Sequence, residues 1–355
     1  MKIAVIGAGN GGQALAGYMA SCGHEVRIAE LNPTTVTALQ QTKSIQLSGS
    51  LNRTGCLSMV TTNSAEAAKG ADLIMVATTA AAHAALARQL APVISEGQII
   101  VLNPGRTGGA LEFHNTLDQC GVEVRYFLAE AQTLVYACRL IEPGHVNIIG
   151  VKDKVLLSAL PAADTQYVIE KIHNLFPCFT PCQNVLVTSL ENYGAVFHPS
   201  VVLFNAAAIE RGNNFYFYRE MTPQIADFIE QLDAERVAVG KAYGLELTSA
   251  KDWISDAYNG IAGDTLCERM RNNPAYNDIL APTVINCRQL TEDIPTGAVP
   301  LAALGEAAGL DMPIYNGIIN IASALLHSDF RAKGRNLKNL GLEGKTKEQI
   351  IQMLS

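Results

Sequence analysis

The sequence predicts an α/β domain built on a doubly wound, mainly parallel sheet, followed by a mainly α-helical domain. Three observations carry this reading. Short apolar runs alternate with helical stretches through the first half of the chain, as strands buried on both faces and covered by helices do. A glycine-rich turn joins the first apolar run to the first helical stretch. Beyond about residue 185 the strand-like runs fade and long amphipathic stretches take over, punctuated by Pro and Gly. The 355 residues suit two domains at about 150 residues each, placed here at 1–185 and 186–355.

Taken in order, Lys2-Ile3-Ala4-Val5-Ile6 is an apolar run ended by Gly7, and residues 13–21 read as helix. Glu25-Val26-Arg27-Ile28-Ala29 is a second strand, ending at Glu30, so strand, turn, helix and strand fill about thirty residues, one βαβ unit. Leu73-Ile74-Met75-Val76-Ala77, an alanine-rich helix through Leu90, and Gln98-Ile99-Ile100-Val101-Leu102 continue the alternation. Further strand-like runs lie at 122–128, 146–151 and 155–160. In the second domain 189–212, 222–244, 249–258, 274–290, 299–310 and 313–328 read as helices. The apolar helices of 299–328 could supply the face of a homodimer or the domain core, and most of their residues are assigned to the core.

Composition narrows the function classes. With 26 basic against 33 acidic residues the net charge is -7, which gives no field for a polyanion or an anionic membrane surface, so neither nucleic acid nor membrane is expected as a partner. No apolar run approaches the roughly 18 residues of a spanning helix, and the chain opens on a strand pattern instead of a signal peptide, so a cytoplasmic protein is expected. The eight cysteines are scattered. Only Cys178 and Cys182, in C-F-T-P-C, lie close, and no second Cys/His pair has zinc spacing, so no metal site is expected.

The turn after the first strand is Gly7-Ala8-Gly9-Asn10-Gly11-Gly12. A glycine motif between a strand and a helix, followed by an acid at the end of the next strand, is the signature of a dinucleotide-binding Rossmann domain. Gly7 permits the tight turn, Gly9 lets backbone approach a pyrophosphate, and Gly12 lets helix and strand pack closely. The helix N-terminus, with Ala8, Asn10 and Gly11 completing the loop, offers N–H groups to the phosphates. Glu30 is placed to accept hydrogen bonds from ribose hydroxyls and to repel a 2'-phosphate. Its neighbours Leu31 and Asn32 supply no arginine, so NAD(H) is favoured, while Arg27 and Arg53 keep NADP(H) open. A second glycine-rich turn, Asn103-Pro104-Gly105-Arg106-Thr107-Gly108-Gly109, follows the strand ending at Leu102 and should border the ligand, where Arg106 can meet a carboxylate or phosphate or remain a solvated loop residue.

Hydride transfer to a carbonyl or imine also needs a proton donor, for which histidine has the suitable range. Of seven histidines, His198 stands apart, in Asn192-Tyr193-Gly194-Ala195-Val196-Phe197-His198-Pro199. Pro199 should restart or kink the helix and expose His198 beside irregular backbone. If the helix only kinks, Glu191, His198 and Asn205 at spacing seven form a polar stripe. A second polar cluster, Arg288 to Gly297, contains Glu292 and Asp293, either of which could fix the tautomer of His198.

These residues together resemble the opine dehydrogenases, which include octopine, nopaline and N-(1-carboxyethyl)-norvaline dehydrogenases. The resemblance runs through the glycine motif, Leu102-Asn103-Pro104-Gly105, Ala129-Glu130, Asn192 to Pro199, Glu292-Asp293-Ile294-Pro295 and Gly334-Arg335-Asn336-Leu337. It implies reductive condensation of an amino acid's amino group with a 2-oxo acid, usually pyruvate, using NADH or NADPH. It further implies His198 as acid/base, Asp293 as its partner and Arg288 as a ligand for a substrate carboxylate. Two-domain reductases resembling ketopantoate or glycerol-3-phosphate dehydrogenases share the architecture but use a lysine at the entrance to the helical domain, and none lies between Lys171 and Lys241. A non-catalytic NAD-binding regulator is the alternative of another class.

Overall fold

A computed structural model describes residues 1–258 and 260–355. The chain forms two compact units, one of Met1–Ser189 with Gln352–Ser355, the other of Leu190–Ile351.

The first unit holds twelve strands: β1 (Lys2–Ile6), β2 (Glu25–Ala29), β3 (Ser44–Gly49), β4 (Arg53–Cys56), β5 (Met59–Thr61), β6 (Leu73–Val76), β7 (Ile99–Leu102), β8 (Phe127–Ala131), β9 (Tyr136–Glu142), β10 (His145–Val151), β11 (Val155–Leu160) and β12 (Phe179–Pro181). Eight of them form one sheet in the order β12-β11-β8-β7-β6-β1-β2-β5. All its pairings are parallel except β11 with β8. In register, Val5 lies beside Ile28 on one side and Met75 on the other. Strands β6 and β7 are buried along their whole length, which is why they read as unbroken apolar runs.

The other four strands form a second sheet, β4-β3-β10-β9, against the helix Asn10–Ser21. The sequence reading lacked β3, β4, β5, β9 and β12, because these strands are short or alternate buried with more exposed residues instead of forming an apolar run. The strand expected at 122–128 is displaced to Phe127–Ala131, since Val122 still belongs to the turn after a helix and donates its N–H to Leu117 O at 3.2 Å.

The second unit is helical. Its longest helix, Pro223–Ala242, carries a buried ion pair: Arg236 Nε donates to Asp233 Oδ1 at 2.7 Å. Arg236 also donates to Leu190 O at 3.2 Å and Thr248 O at 2.5 Å, while Asp233 Oδ2 accepts from Ala250 N at 2.6 Å. Those bonds fasten the start of the unit and the helix Ala250–Ala257 to one helix face.

Two helical expectations need correction. The stretch 189–212 is divided among Val185–Leu190, Tyr193–Phe204 and Ala206–Glu210, with breaks at Asn192 and Asn205. The stretch 274–290 is not one helix: after one tight turn, Pro274–Tyr276, the chain extends and pairs with 215–217, and helix returns only at Arg288–Thr291. Phe217 N donates to Ile279 O at 2.7 Å and Ala281 N to Phe215 O at 2.9 Å, and Pro282 has no N–H to continue a helix. Helix Leu266–Arg271, absent from the sequence reading, is capped by Thr265 and Glu268 in a capping box. In 299–328 most apolar residues are buried, while Ile321 and Leu325 remain exposed. Among the described residues no helix is long and apolar enough to cross a membrane.

Candidate active site

The first unit presents a dinucleotide cradle. Gly7 has φ +99°, and a Cβ on Gly12 would stand 1.8 Å from Gly7 O, so the turn and the helix contact both demand glycine. Around Gly9, by contrast, an added Cβ would meet nothing within 4 Å, leaving backbone open to a ligand. Gly9 caps the helix Asn10–Ser21, which has no acidic residue in its first turn to compete with an anion. Asn10 and Gly11 also serve the fold: Asn10 Oδ1 accepts from Leu140 N at 2.9 Å, and a Cβ on Gly11 would stand 2.7 Å from Leu134.

Glu30, at the end of β2, accepts from Ala8 N at 2.7 Å and Asn32 N at 3.0 Å. It lines a cavity of about 340 Å³ with Gly7, Gly9, Ser64, Thr78 and Leu86. The Thr78 hydroxyl in that lining and both amide atoms of buried Asn103 have no hydrogen-bond partner among the described residues. Open glycine backbone, a carboxylate at the end of the second strand and orphaned polar atoms fit a nicotinamide dinucleotide. Neither arginine that kept a 2'-phosphate open lines the cavity. Arg27 donates to Glu25 and to Lys69 O, and Arg53 lies over the Tyr18 ring, 5.6 Å from its centroid.

Arg106 stands on the second glycine-rich loop with φ +61°. The loop is held by Glu130, which is completely buried at the end of β8. Glu130 Oε1 accepts from Thr188 Oγ1 at 2.6 Å and Ser189 Oγ at 2.7 Å, and Oε2 accepts from Ala110 N at 2.8 Å. A Cβ on Gly105 would lie 2.2 Å from that oxygen, so glycine is required there. Burial first, and then the like charge of Arg106, pushes the Lys152 amine down to about 8; its Nζ donates to Thr133 Oγ1 at 2.8 Å.

In the second unit the helix Tyr193–Phe204 runs on through Pro199 and carries His198 on its second turn. His198 Nδ1 lies 2.7 Å from Asp293 Oδ2, and Nε2 lies 3.1 Å from the Tyr218 hydroxyl. The histidine side chain is 29% exposed and that of Asp293 only 4%. Asp293 reaches it because a π-helical turn, Ile294–Ala298, follows directly and packs on the helix, a Cβ on Gly297 being excluded by Ala195 at 2.4 Å. Of the two acids the sequence left open, Asp293 takes the histidine. Glu292 pairs instead with Arg288, whose side chain is 67% exposed.

The stripe of Glu191, His198 and Asn205 does not form. Glu191 precedes the helix, and Asn205 ends it with Nδ2 donating to Val201 O at 2.8 Å. The structure adds residues to which the sequence reading gave no role: Tyr218 on His198, Glu130 under the Arg106 loop, and Lys152 beside it.

An opine dehydrogenase from Arthrobacter sp. (strain 1C) is 38% identical over 345 residues, 97% of this chain and 96% of that protein. The chain belongs to the opine dehydrogenase family. It is accordingly an oxidoreductase acting on CH–NH groups. The family model for the α-helical domain of NAD/NADP octopine/nopaline dehydrogenase matches residues 181–326, and a model for coenzyme F420-dependent NADP oxidoreductase matches residues 2–102. A solved octopine dehydrogenase structure with NADH and L-arginine is similar in fold, with TM-score 0.83 and 22% identity, covering 98% of this chain and 97% of that one. A ketopantoate reductase from Ralstonia eutropha JMP134 has TM-score 0.63 and 17% identity, covering 94% of this chain and 99% of that one. The opine dehydrogenase fold is thus similar to a wider two-domain architecture.

Proposed function

We propose that the chain uses NADH to condense the amino group of an amino acid with a 2-oxo acid, pyruvate being the first choice, and that it runs the reverse oxidation. The observation that carries this reading is His198, held between Asp293 and Tyr218 on a partly exposed helix face. Octopine dehydrogenase structures solved with NADH and L-arginine, with NADH and agmatine, and with NADH and pyruvate support the substrate class.

The amine adds to the keto carbon and water leaves, giving an imine. When bound, the reduced cofactor supplies the hydride that this carbon accepts, and the nitrogen keeps a proton to give a secondary amine. His198 moves the protons: as a base it takes one from the substrate ammonium, and as an acid it returns one to the leaving hydroxyl. Asp293, which can only accept, holds the Nδ1–H and stabilises the imidazolium between those steps. Arg288 and Arg106 receive substrate carboxylates. Asn205, one of whose Nδ2 hydrogens goes to Val201 O, offers its oxygen to a substrate ammonium, which can only donate. Gly7, Ala8, Gly9, Asn10, Gly11, Gly12 and Glu30 hold the dinucleotide, with NADH favoured because no arginine lines the Glu30 cavity. No covalent enzyme intermediate is required. We assign the enzyme to the cytoplasm, where cysteines remain thiols.

The test is NADH oxidation with pyruvate and a panel of amino acids, with mass analysis of the product. NADH loss that requires both substrates, and a product with the summed mass less one oxygen, is expected. Failure of every pair of amino acid and 2-oxo acid would overturn the reading.

A further inference from the structure

The inference deepens the reading above, in which His198 is the acid/base. We propose that Tyr218 is a positioning residue for His198, clamping its ring from the side opposite Asp293 and favouring the neutral, proton-accepting form.

The direction of the two hydrogen bonds follows from donor chemistry. A carboxylate can only accept, so the 2.7 Å contact to Asp293 Oδ2 fixes the hydrogen on Nδ1. In the neutral ring Nε2 is then the lone-pair nitrogen, and the Tyr218 hydroxyl at 3.1 Å is its donor. The two contacts act oppositely on the proton: Asp293 stabilises the imidazolium, whereas a phenol donating to Nε2 stabilises the neutral ring. When the ring is protonated the second bond reverses, with Nε2–H donating to the phenol oxygen, so the hydroxyl hydrogen must turn whenever His198 changes charge.

Tyr218 is itself fixed. It is 7% exposed, stacked on Tyr276 at 4.4 Å between centroids and packed edge-on against Phe217 at 4.8 Å. Phe217 also meets the His198 ring edge-on at 5.9 Å. A rigid phenol removes the ring-flip freedom that a histidine anchored at one nitrogen would keep.

Most of the charged groups on the elements packed against the His198 helix are engaged elsewhere. Arg288 pairs with Glu292, and Asp233 with Arg236. Glu235 accepts from Ile314 N and Tyr315 N, and Glu230 from Leu266 N. Asp227 faces Cys267 electrostatically, and Cys287 faces Asp293. Lys241 lies at the far end of Pro223–Ala242, and Glu210 on Ala206–Glu210. Asp293 and Tyr218 are the groups that meet the imidazole nitrogens directly.

The experiment is an NMR pH titration of the His198 ring C–H, identified by its loss in His198→Asn, in the whole enzyme and its variants. Tyr218→Phe keeps the stacking and removes only the hydroxyl. Its midpoint should move to higher pH, reflecting roughly a five- to tenfold easier protonation, the worth of one hydrogen bond. Asp293→Asn should move it the other way. Tyr276→Phe, which removes the hydroxyl bonded to Tyr258 at 3.2 Å, should leave it in place. In turnover, Tyr218→Phe should lower kcat and shift the acid limb of the pH profile upward while KM for the amino acid barely changes. An unmoved midpoint in Tyr218→Phe, or an equal shift in Tyr276→Phe, would overturn the proposal. Because the titration needs no turnover, failure of the substrate assignment would leave this outcome readable on its own.

Discussion

At Lys152 the first unit keeps an amine where burial opposes its charge, and Arg106 adds a second cation nearby; the amine falls to about 8. In the unfolded chain it would titrate near its ordinary value, roughly 10.4. Between those values the unfolded state holds a proton that the folded state has released, so stability rises with pH across that window, and below it the cost of burying the charge is present in full. Lys152→Met should therefore melt higher than the parent at pH 7, by a few degrees at most because Thr133 loses its donor, and the gap should close as pH approaches 10. Thermal melts across that range test it; a gap that stays constant would mean that the amine's charge is not what strains the fold. Single residues differ in how legible they are. Gly7, Gly9 and Gly12 announce themselves because the motif is local, and the structure supplies a positive φ, open space and a 1.8 Å exclusion at the respective positions. His198 stands out in the sequence through its neighbours Phe197 and Pro199, and the structure places Asp293 and Tyr218 on its ring. Tyr218 was not, since it is one aromatic in Phe215-Tyr216-Phe217-Tyr218 and only the fold turns its hydroxyl onto Nε2. Lys152 gave no signal for the same reason: its depressed amine follows from burial and from Arg106, forty-six positions earlier in the chain.

Among elements, the helix Pro223–Ala242 organises the second unit through its buried Asp233–Arg236 pair. Removing one member of a buried pair leaves the other charge without compensation, which costs more than the pair's net worth. Asp233→Ala strands the Arg236 guanidinium and takes the acceptor from Ala250 N, so it should cost about 3–5 kcal/mol in equilibrium urea unfolding. A loss below about 1 kcal/mol, typical of a surface pair, would show that the carboxylate is dispensable. Elements were legible where the pattern was local and long. Strands β1, β6 and β7 and the helices 222–244 and 313–328 follow directly from apolar runs and periodicity. The 274–290 segment misled because its apolar spacing resembles a helix, whereas its backbone bonds are made with residues 215–217, some sixty positions earlier. The second sheet was hidden for a similar reason, as β3 finds its partners in β4 and, about a hundred residues on, β10. The π-helical turn after Asp293 also escapes propensity, yet it sets the aspartate on His198.

Across the whole molecule the chemistry divides with the chain: Gly7 to Gly12, Glu30 and Arg106 lie in one compact unit, and His198, Tyr218, Arg288 and Asp293 in the other. The net charge of -7 describes neither share, since a dinucleotide and a dicarboxylate product both call for local positive charge, the role proposed for Arg106 and Arg288. The division makes cofactor affinity and proton transfer separable by mutation. Glu30→Ala removes the carboxylate that would meet the ribose hydroxyls, and a charge-assisted hydrogen bond of about 1.5–3 kcal/mol corresponds to roughly a tenfold or greater rise in Kd for NADH. The same change removes the repulsion toward a 2'-phosphate, so the preference for NADH over NADPH should narrow. His198→Ala should lower kcat by about 10²–10⁴, the usual contribution of a positioned acid/base, while Kd for NADH stays within about twofold. Calorimetric titration of NADH and NADPH into the two variants, beside steady-state rates, separates these effects. If His198→Ala weakened NADH binding as much as Glu30→Ala, or if Glu30→Ala left the cofactor preference untouched, the assignment of cofactor to the first unit and acid/base to the second would fail.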